Sequence, residues 1–331
     1  MKRSGASFFA LKLESLQWIG EERLEKRLTK NVEPTIWSRA PLAGMVASEV
    51  AITVSIELLA RRAHLSLATI LVDRSLLALA LLALIVRPGL GQWRPRSPRL
   101  ALLRVVTGGL TFVGWFGAIG LLSGRVTQAV LLLDALILAY VRGERRSYER
   151  RTLLVLATAL LLFASAAVRE PGTVLNAKRG IVFLLIALAS RAATYKVWER
   201  AQGKDEHLFW LIAPALVGGT LGGVFLGVST HSQLQTLSPQ MWGVMLLVAM
   251  VGLSGYFYMN TVMLLLGAFY TRVVELWQVP MLWAIHLLTD QTHIDLLQGA
   301  LGTLVACASA YTYLQHRRAQ SDEMGRSSVV R

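Results

Sequence analysis

Charge and cysteine are both scarce in this chain. Only 16% of its 331 residues are charged and 54% are hydrophobic, with a mean hydropathy of +0.51. A soluble domain carries roughly 25% charged residues, so the deficit is what a lipid-exposed surface requires. The one cysteine, Cys307, sits in an apolar run, which excludes a disulfide framework and a cysteine-based metal site. No HExxH, no G-x-S-x-G and no paired cysteines are present, and the six histidines are scattered. No catalytic residue, metal or cofactor is therefore expected. Gly219 to Gly223 lack the lysine and strand context of a phosphate loop. Without an ATP-binding motif, any transport must run on an ion gradient or on the substrate's own gradient.

Acidic residues are few as well, 20 against 34 Lys and Arg, for a net charge of +14. These cations lie beside apolar spans rather than on a soluble face. Membrane lipid is the expected partner and nucleic acid is not. Residues 1–39 hold no uninterrupted apolar core of a cleaved signal, because Lys12, Glu14 and Glu21 break the run. They read as a basic cytoplasmic segment, either a helix lying on the membrane surface or a disordered tail.

A spanning helix needs about 20 mostly apolar residues. Ten stretches qualify: 41–60, 66–86, 101–122, 126–141, 152–168, 180–197, 207–229, 240–262, 266–288 and 295–314. The fourth is the shortest and carries Asp134. With the N-terminus inside, 26 of the 34 cations fall on the inner side and 6 on the outer, while Arg74 and Arg191 lie within spans. That asymmetry predicts an inner-membrane, multi-pass protein with both termini cytoplasmic.

The run Val130 to Glu144 resembles Leu276 to Asp290, 146 residues on, pairing Asp134 with Pro280 and Glu144 with Asp290. Gly114-Trp-Phe upstream echoes Gly255-Tyr-Phe. The expected organisation is all-α: a first five-helix repeat over 40–170, a second over 171–315 and a tail over 316–331. Five is odd, so the second half would be inverted, the plan of many alternating-access transporters.

Polar groups at depth are the site candidates, because a charge near the bilayer centre costs at least roughly 2.5–3.5 kcal/mol. Glu49, Thr53 and Glu57 are four apart and share a helix face. Glu49 suits a substrate amine or a proton; Glu57 lies nearer an end, beside Arg61 and Arg62. Arg74 suits a substrate carboxylate or phosphate, or a structural pair with Glu49 or Asp134. Asp134 suits a proton-coupled step. Arg191 and Tyr195 are four apart, with Arg191 able to face the cavity or pair with Glu275. Tyr256 and Asn260 share a face fit for a small polar ligand. Glu275 and Gln278 precede Pro280, which frees a backbone carbonyl. Gly218, Gly222, Gly223 and Gly227 read as close helix packing.

Over roughly 41–315 the chain resembles the EamA-type permeases of the drug/metabolite transporter superfamily. The resemblance rests on Asp73-Arg74-Ser in the second span, Trp115-Phe116 in the third and Gly143-Glu144-Arg145 closing the fourth. Pro280 and the Gly299-containing tenth span add to it. It implies ten transmembrane helices as two inverted five-helix repeats, and export or exchange of a small metabolite. Asp134 stands where that family usually has Pro, and Asp290 where it has Glu. Mixed acids and bases suit a zwitterion such as an amino acid. The competing readings are a non-transporting membrane scaffold and a flippase for an anionic lipid-linked substrate. A homodimer is allowed.

The topology predicts that a single cysteine introduced between 234 and 238, in a Cys307→Ser background, labels only from outside in right-side-out vesicles. Labelling only from the cytoplasmic face would overturn the ten-span arrangement.

Overall fold

The structure is a computed structural model, and it describes residues 36–329 apart from 90–91, 136–137, 139–146, 170–173, 230–231, 233 and 291–295. The N-terminal segment and Gly143-Glu144-Arg145 thus lie outside the described residues. The described residues are helical, with no strand among them. Helices occupy α1 (Ile36–Arg61), α2 (Leu67–Val86), α3 (Pro98–Leu122), α4 (Gly124–Leu131) and α5 (Ser147–Val168). They continue as α6 (Ala177–Gln202), α7 (Leu208–Ser229), α8 (Pro239–Glu275), α9 (Gln278–Asp290) and α10 (Leu296–Val329).

Six segments are long and apolar enough to cross a membrane: Ala40–Arg61, Leu67–Val86, Pro98–Leu122, Ala177–Gln202, Leu208–Ser229 and the 50-residue Pro239–Leu288. Large apolar side chains such as Leu84, Leu154, Phe225 and Val228 are more than 60% exposed on these helices and on α5. Lipid is the solvent in which that surface is cheap. Leu42–Arg331 form one compact unit, which contains both of the expected halves.

Local chemistry sets the helix starts. Ser66, Asn176 and Ser238 each accept a hydrogen bond from the N–H three residues on, and Pro98 and Pro239 open α3 and α8. Arg96 and Ser97, just before α3, donate their backbone N–H groups to the Glu206 carboxylate, both at 3.0 Å.

Small residues let the central helices touch. A Cβ on Gly109 would sit 2.7 Å from the Gly218 carbonyl oxygen, so α3 and α7 meet backbone to backbone. Gly114 meets α6 at Phe183 and Ala187, and Gly223 meets α2 at Val72. This is the close small-residue packing expected of the seventh span. It puts α3 against both α6 and α7 at the centre of the molecule.

Two chain breaks share one design. α3 ends at Ser123 (φ 113°, ψ 160°), while inside α8 the helix is interrupted at Gly267 (φ 75°, ψ 171°). Both lie in a region of backbone space that only glycine enters without strain. After each break comes an eight-residue helical piece, 124–131 or 268–275, then a two-residue turn, then helix again. A carboxylate accepts the first N–H of each new piece. Glu57 takes it from Gly124 at 3.0 Å, and Glu199 takes it from Ala268 at 3.3 Å. A negative charge at a helix N-terminus is favoured by unpaired N–H groups and the helix dipole. The breaks are 144 residues apart, two fewer than the 146-residue sequence register. On the break register Thr127 matches Thr271, and Asp134 falls opposite Gln278 rather than Pro280.

Gly267→Ala should destabilise the protein by about 1–3 kcal/mol, since an L side chain at that φ is strained. Thermal unfolding in detergent reads this. An unchanged midpoint would mean the break is not held in that conformation.

Candidate functional site

A cavity of about 50 Å3, room for a few water-sized groups, lies between α1, α2, α3, α6, α7 and α8. Five of the nine candidates line it: Glu49, Arg74, Arg191, Tyr195 and Tyr256. Two more, Asp134 and Glu275, lie behind Arg191 and are joined to it.

The joined groups form one buried network. Arg191 donates from Nη2 to Glu275 Oε2 at 3.0 Å, and it stands 3.8 Å from both Asp134 Oδ2 and Glu49 Oε2. Arg272 donates from Nε to Asp134 Oδ1 at 2.9 Å and is also paired with Glu275. The Tyr195 hydroxyl donates to Glu275 Oε1 at 2.6 Å and accepts from Arg272 Nη1 at 3.1 Å. Arg191 Nη1 reaches Gln128 Oε1 at 3.4 Å, and Gln128 donates to Thr53 Oγ at 2.7 Å. Thr53 in turn donates to the Glu49 carbonyl, so the expected face of α1 is used.

Helix geometry explains how these groups meet. Gln128 and Arg272 each stand on a short piece after a break, and on the break register they are equivalent. Both are fully buried. The reset at Ser123 and Gly267 lets each short piece run at its own angle and present a polar side chain to the middle of the bundle.

Arg74 and Arg104 are the exceptions to this pairing. Both are buried, with no hydrogen bond or ion pair to any described residue at Arg74 Nε and Nη1, or at Arg104 Nε, Nη1 and Nη2. Arg74 makes no direct ion pair with Glu49 or Asp134, although Glu49 lies near enough to act on it through space. Instead its guanidinium stands over the rings of Phe112 (5.2 Å) and Phe116 (5.5 Å). Arg104 stacks on Trp198 at 4.2 Å. A desolvated cation–π contact is worth about 2 kcal/mol, whereas burying an ion costs several. The rings therefore offset only part of that cost.

Two candidates lie elsewhere. Asn260 Oδ1 accepts from Trp198 Nε1 at 3.2 Å and from Gln202 at 2.7 Å, so it holds the tryptophan that Arg104 rests on. Gln278 is buried and neither atom of its amide has a partner among the described residues. Glu57 pairs with Arg61 at 3.6 Å and caps α4, away from the cavity.

Sequence reasoning missed Arg104 and Arg272. Both had been counted as inner-side cations near span ends, yet both are fully buried. The signal for Arg104 was there: it shares a face of α3 with Gly108, Thr111 and Trp115, at steps of three and four. Arg272 sits three residues before Glu275, the spacing of an intrahelical ion pair.

Arg272→Met should destabilise the protein by about 3–5 kcal/mol, because it leaves Asp134 and Glu275 buried with one cation fewer. The double variant Arg272→Met/Asp134→Leu restores the balance of charge and should recover at least half of that loss. Additive effects of the two changes, measured by unfolding in detergent, would show that the groups are not coupled.

No protein-family profile matches the sequence, and no curated protein matches it. Among solved structures 18 chains match. One of them, described only as a protein of known crystal structure, is 13% identical to this chain. It aligns with 84% of this chain and 99% of its own, with a TM-score of 0.56. At that identity the likeness concerns the fold alone: this arrangement of helices recurs in a protein of known structure.

Proposed function

We propose that the chain is a secondary transporter that exports or exchanges a small polar metabolite, such as an amino acid, by alternating access. The observation that carries this reading is the ion network beside the cavity. Its acids Glu49 and Asp134 come from the first half of the chain, and Arg191, Arg272 and Glu275 from the second. A membrane scaffold has no use for three carboxylates and two guanidinium groups tied across its midline at the edge of a cavity. A transporter does, because pairs that cross between two halves can break and re-form as one half moves on the other.

The architecture proposed with it is ten crossings in two inverted repeats. Pro239–Leu288 is 50 residues long, about 75 Å at 1.5 Å per residue, more than twice the hydrocarbon thickness. With a break at Gly267 it fits two crossings. The paired breaks, each capped by a carboxylate from the first helix of its own half, support an internal two-fold relation. The capping acids follow it too: Glu57 stands on the first helix of one half and Glu199 on the first helix of the other. Five crossings per half invert the second against the first. With the buried Arg104 and Arg272 set aside, the bias of 24 inner to 6 outer cations favours both termini in the cytoplasm of a cell whose inner membrane holds the protein. The EamA-type resemblance points the same way.

In this mechanism the substrate enters the cavity and competes for the ion pairs of Arg191. Asp134 is the proton carrier, since neutralising it loosens Arg191 and Arg272 together and so frees the first half from the second.

The test is flux in proteoliposomes of the purified full chain across a panel of metabolites, with and without an imposed pH gradient. At least one solute should cross faster than in empty liposomes, and Asp134→Asn should abolish the response to the gradient. Flux equal to that of empty liposomes for every solute would favour a scaffold. PH-driven flux unchanged in Asp134→Asn would end the proton role of that residue.

A further inference from the structure

The walls of the cavity differ in what they leave unpaired. On the side of the ion network, Arg191 and Arg272 are held by Asp134, Glu275 and Glu49, and of these two guanidinium groups Arg272 Nη2 is a buried donor without a hydrogen bond among the described residues. Adjoining it, with Arg191 itself 5.7 Å over the Trp115 ring, an aromatic wall carries donors without acceptors among the described residues. The Phe112 ring lies 5.2 Å beneath Arg74, the Tyr256 ring stands edge-on to Phe112 at 6.4 Å, and Trp198 packs on Tyr256 at 5.7 Å beneath Arg104. Trp115, stacked on Phe112, has an indole N–H with no partner among the described residues. Arg74 and Trp115 both line the cavity. Of the unpartnered polar atoms on cavity-lining side chains, Glu49 Oε2 alone is an acceptor. The charges agree: three carboxylates face four guanidinium groups around this space.

We propose that the cavity binds a substrate bearing a carboxylate or phosphate, with that oxyanion seated on Arg74 and Trp115 and with Arg104 behind the wall adding to the field. This deepens the transport reading and rests on it for the word substrate; the oxyanion site itself needs no transport. An oxyanion brings several acceptor lone pairs and one or two negative charges to a place with surplus donors and surplus positive charge. The aromatic faces cover the guanidinium groups and exclude water, which strengthens the interaction. Gly252 fits the same arrangement. A Cβ there would lie 2.5 Å from Arg74 Nη2, so the guanidinium rests on bare α8 backbone and any side chain at 252 displaces it.

The experiment is thermal unfolding of the full chain in detergent, titrated with sodium acetate, sodium phosphate, sodium chloride or acetamide at matched ionic strength. In the wild type, acetate or phosphate should raise the midpoint saturably, at least tenfold more tightly than chloride, and acetamide should not. A response to acetate identifies a carboxylate substrate; a response to phosphate alone identifies a phosphate ester. Arg74→Gln should weaken the response at least tenfold, Arg104→Gln at least threefold, and Gly252→Ala should weaken it without any change of charge. Arg74→Lys should keep part of it. Ligand-free Arg74→Gln should unfold at or above the wild-type temperature, because an unpaired buried cation has gone; a purely structural arginine would give the opposite sign. No oxyanion response in the wild type, or an equal response in Arg74→Gln, overturns the proposal. Oxyanion binding without flux would sink the transport reading and leave this site standing. Flux without an oxyanion response would do the reverse.

Discussion

A charge cannot be left alone in a bilayer, and much of this molecule is arranged around that constraint. Asp134, Glu275 and Arg272 are fully buried, so each needs a partner of opposite sign within a few ångströms. One helix pair cannot supply that many partners. The network draws Glu49 from α1, Asp134 from the segment after α4, Arg191 and Tyr195 from α6, and Arg272 and Glu275 from the end of α8. Those helices must therefore converge. The glycine contacts between α3, α6 and α7 allow it, because backbones that touch leave no gap for lipid or water.

Convergence also requires the breaks. A straight helix of the length of α8 would carry Arg272 far beyond the bundle's centre. At Gly267 the chain changes direction, and Glu199 meets the exposed N–H of Ala268. Ser123 does the same for α4 with Glu57, at a φ that a serine adopts only under strain. Strain of that kind persists when surrounding structure holds it, and here the holding group is a carboxylate on another helix. Two such joints, of the same construction in each part of the chain, let a helix change direction while its new N-terminus stays hydrogen-bonded.

The helical class and the apolar spans were legible because lipid imposes a length on them: α1, α2, α3, α6 and α7 match the expected stretches within a few residues. Glu49, Asp134, Arg191 and Glu275 were named by the cost of a charge in lipid alone, and all four are buried. What the sequence hid was the direction of a side chain near a span end. Arg104 and Arg272 looked like loop-side cations, because a count of charge has no way to tell a side chain that runs outward from one that turns inward onto Trp198 or Asp134. The breaks were hidden as well. Ser123-Gly124 reads as an ordinary gap between spans, and Gly267 as one glycine among 27. The matching threonines, Thr127 and Thr271, line up only once the joints fix the register.

Arginine plays two roles in this bundle, and its partners tell them apart. Arg191 and Arg272 are spent on carboxylates, and their loss would strand buried acids. Arg74 and Arg104 rest on rings, which hold them in place but neutralise nothing. A structural arginine in lipid is matched by an acid, because an unmatched one weakens the fold that contains it. Two arginines without a matching acid among the described residues, on one aromatic wall beside a cavity, are what the proposed oxyanion would complete. The ion network ties the helices to one another, and the aromatic wall beside it carries the guanidinium donors that the described residues leave unpaired.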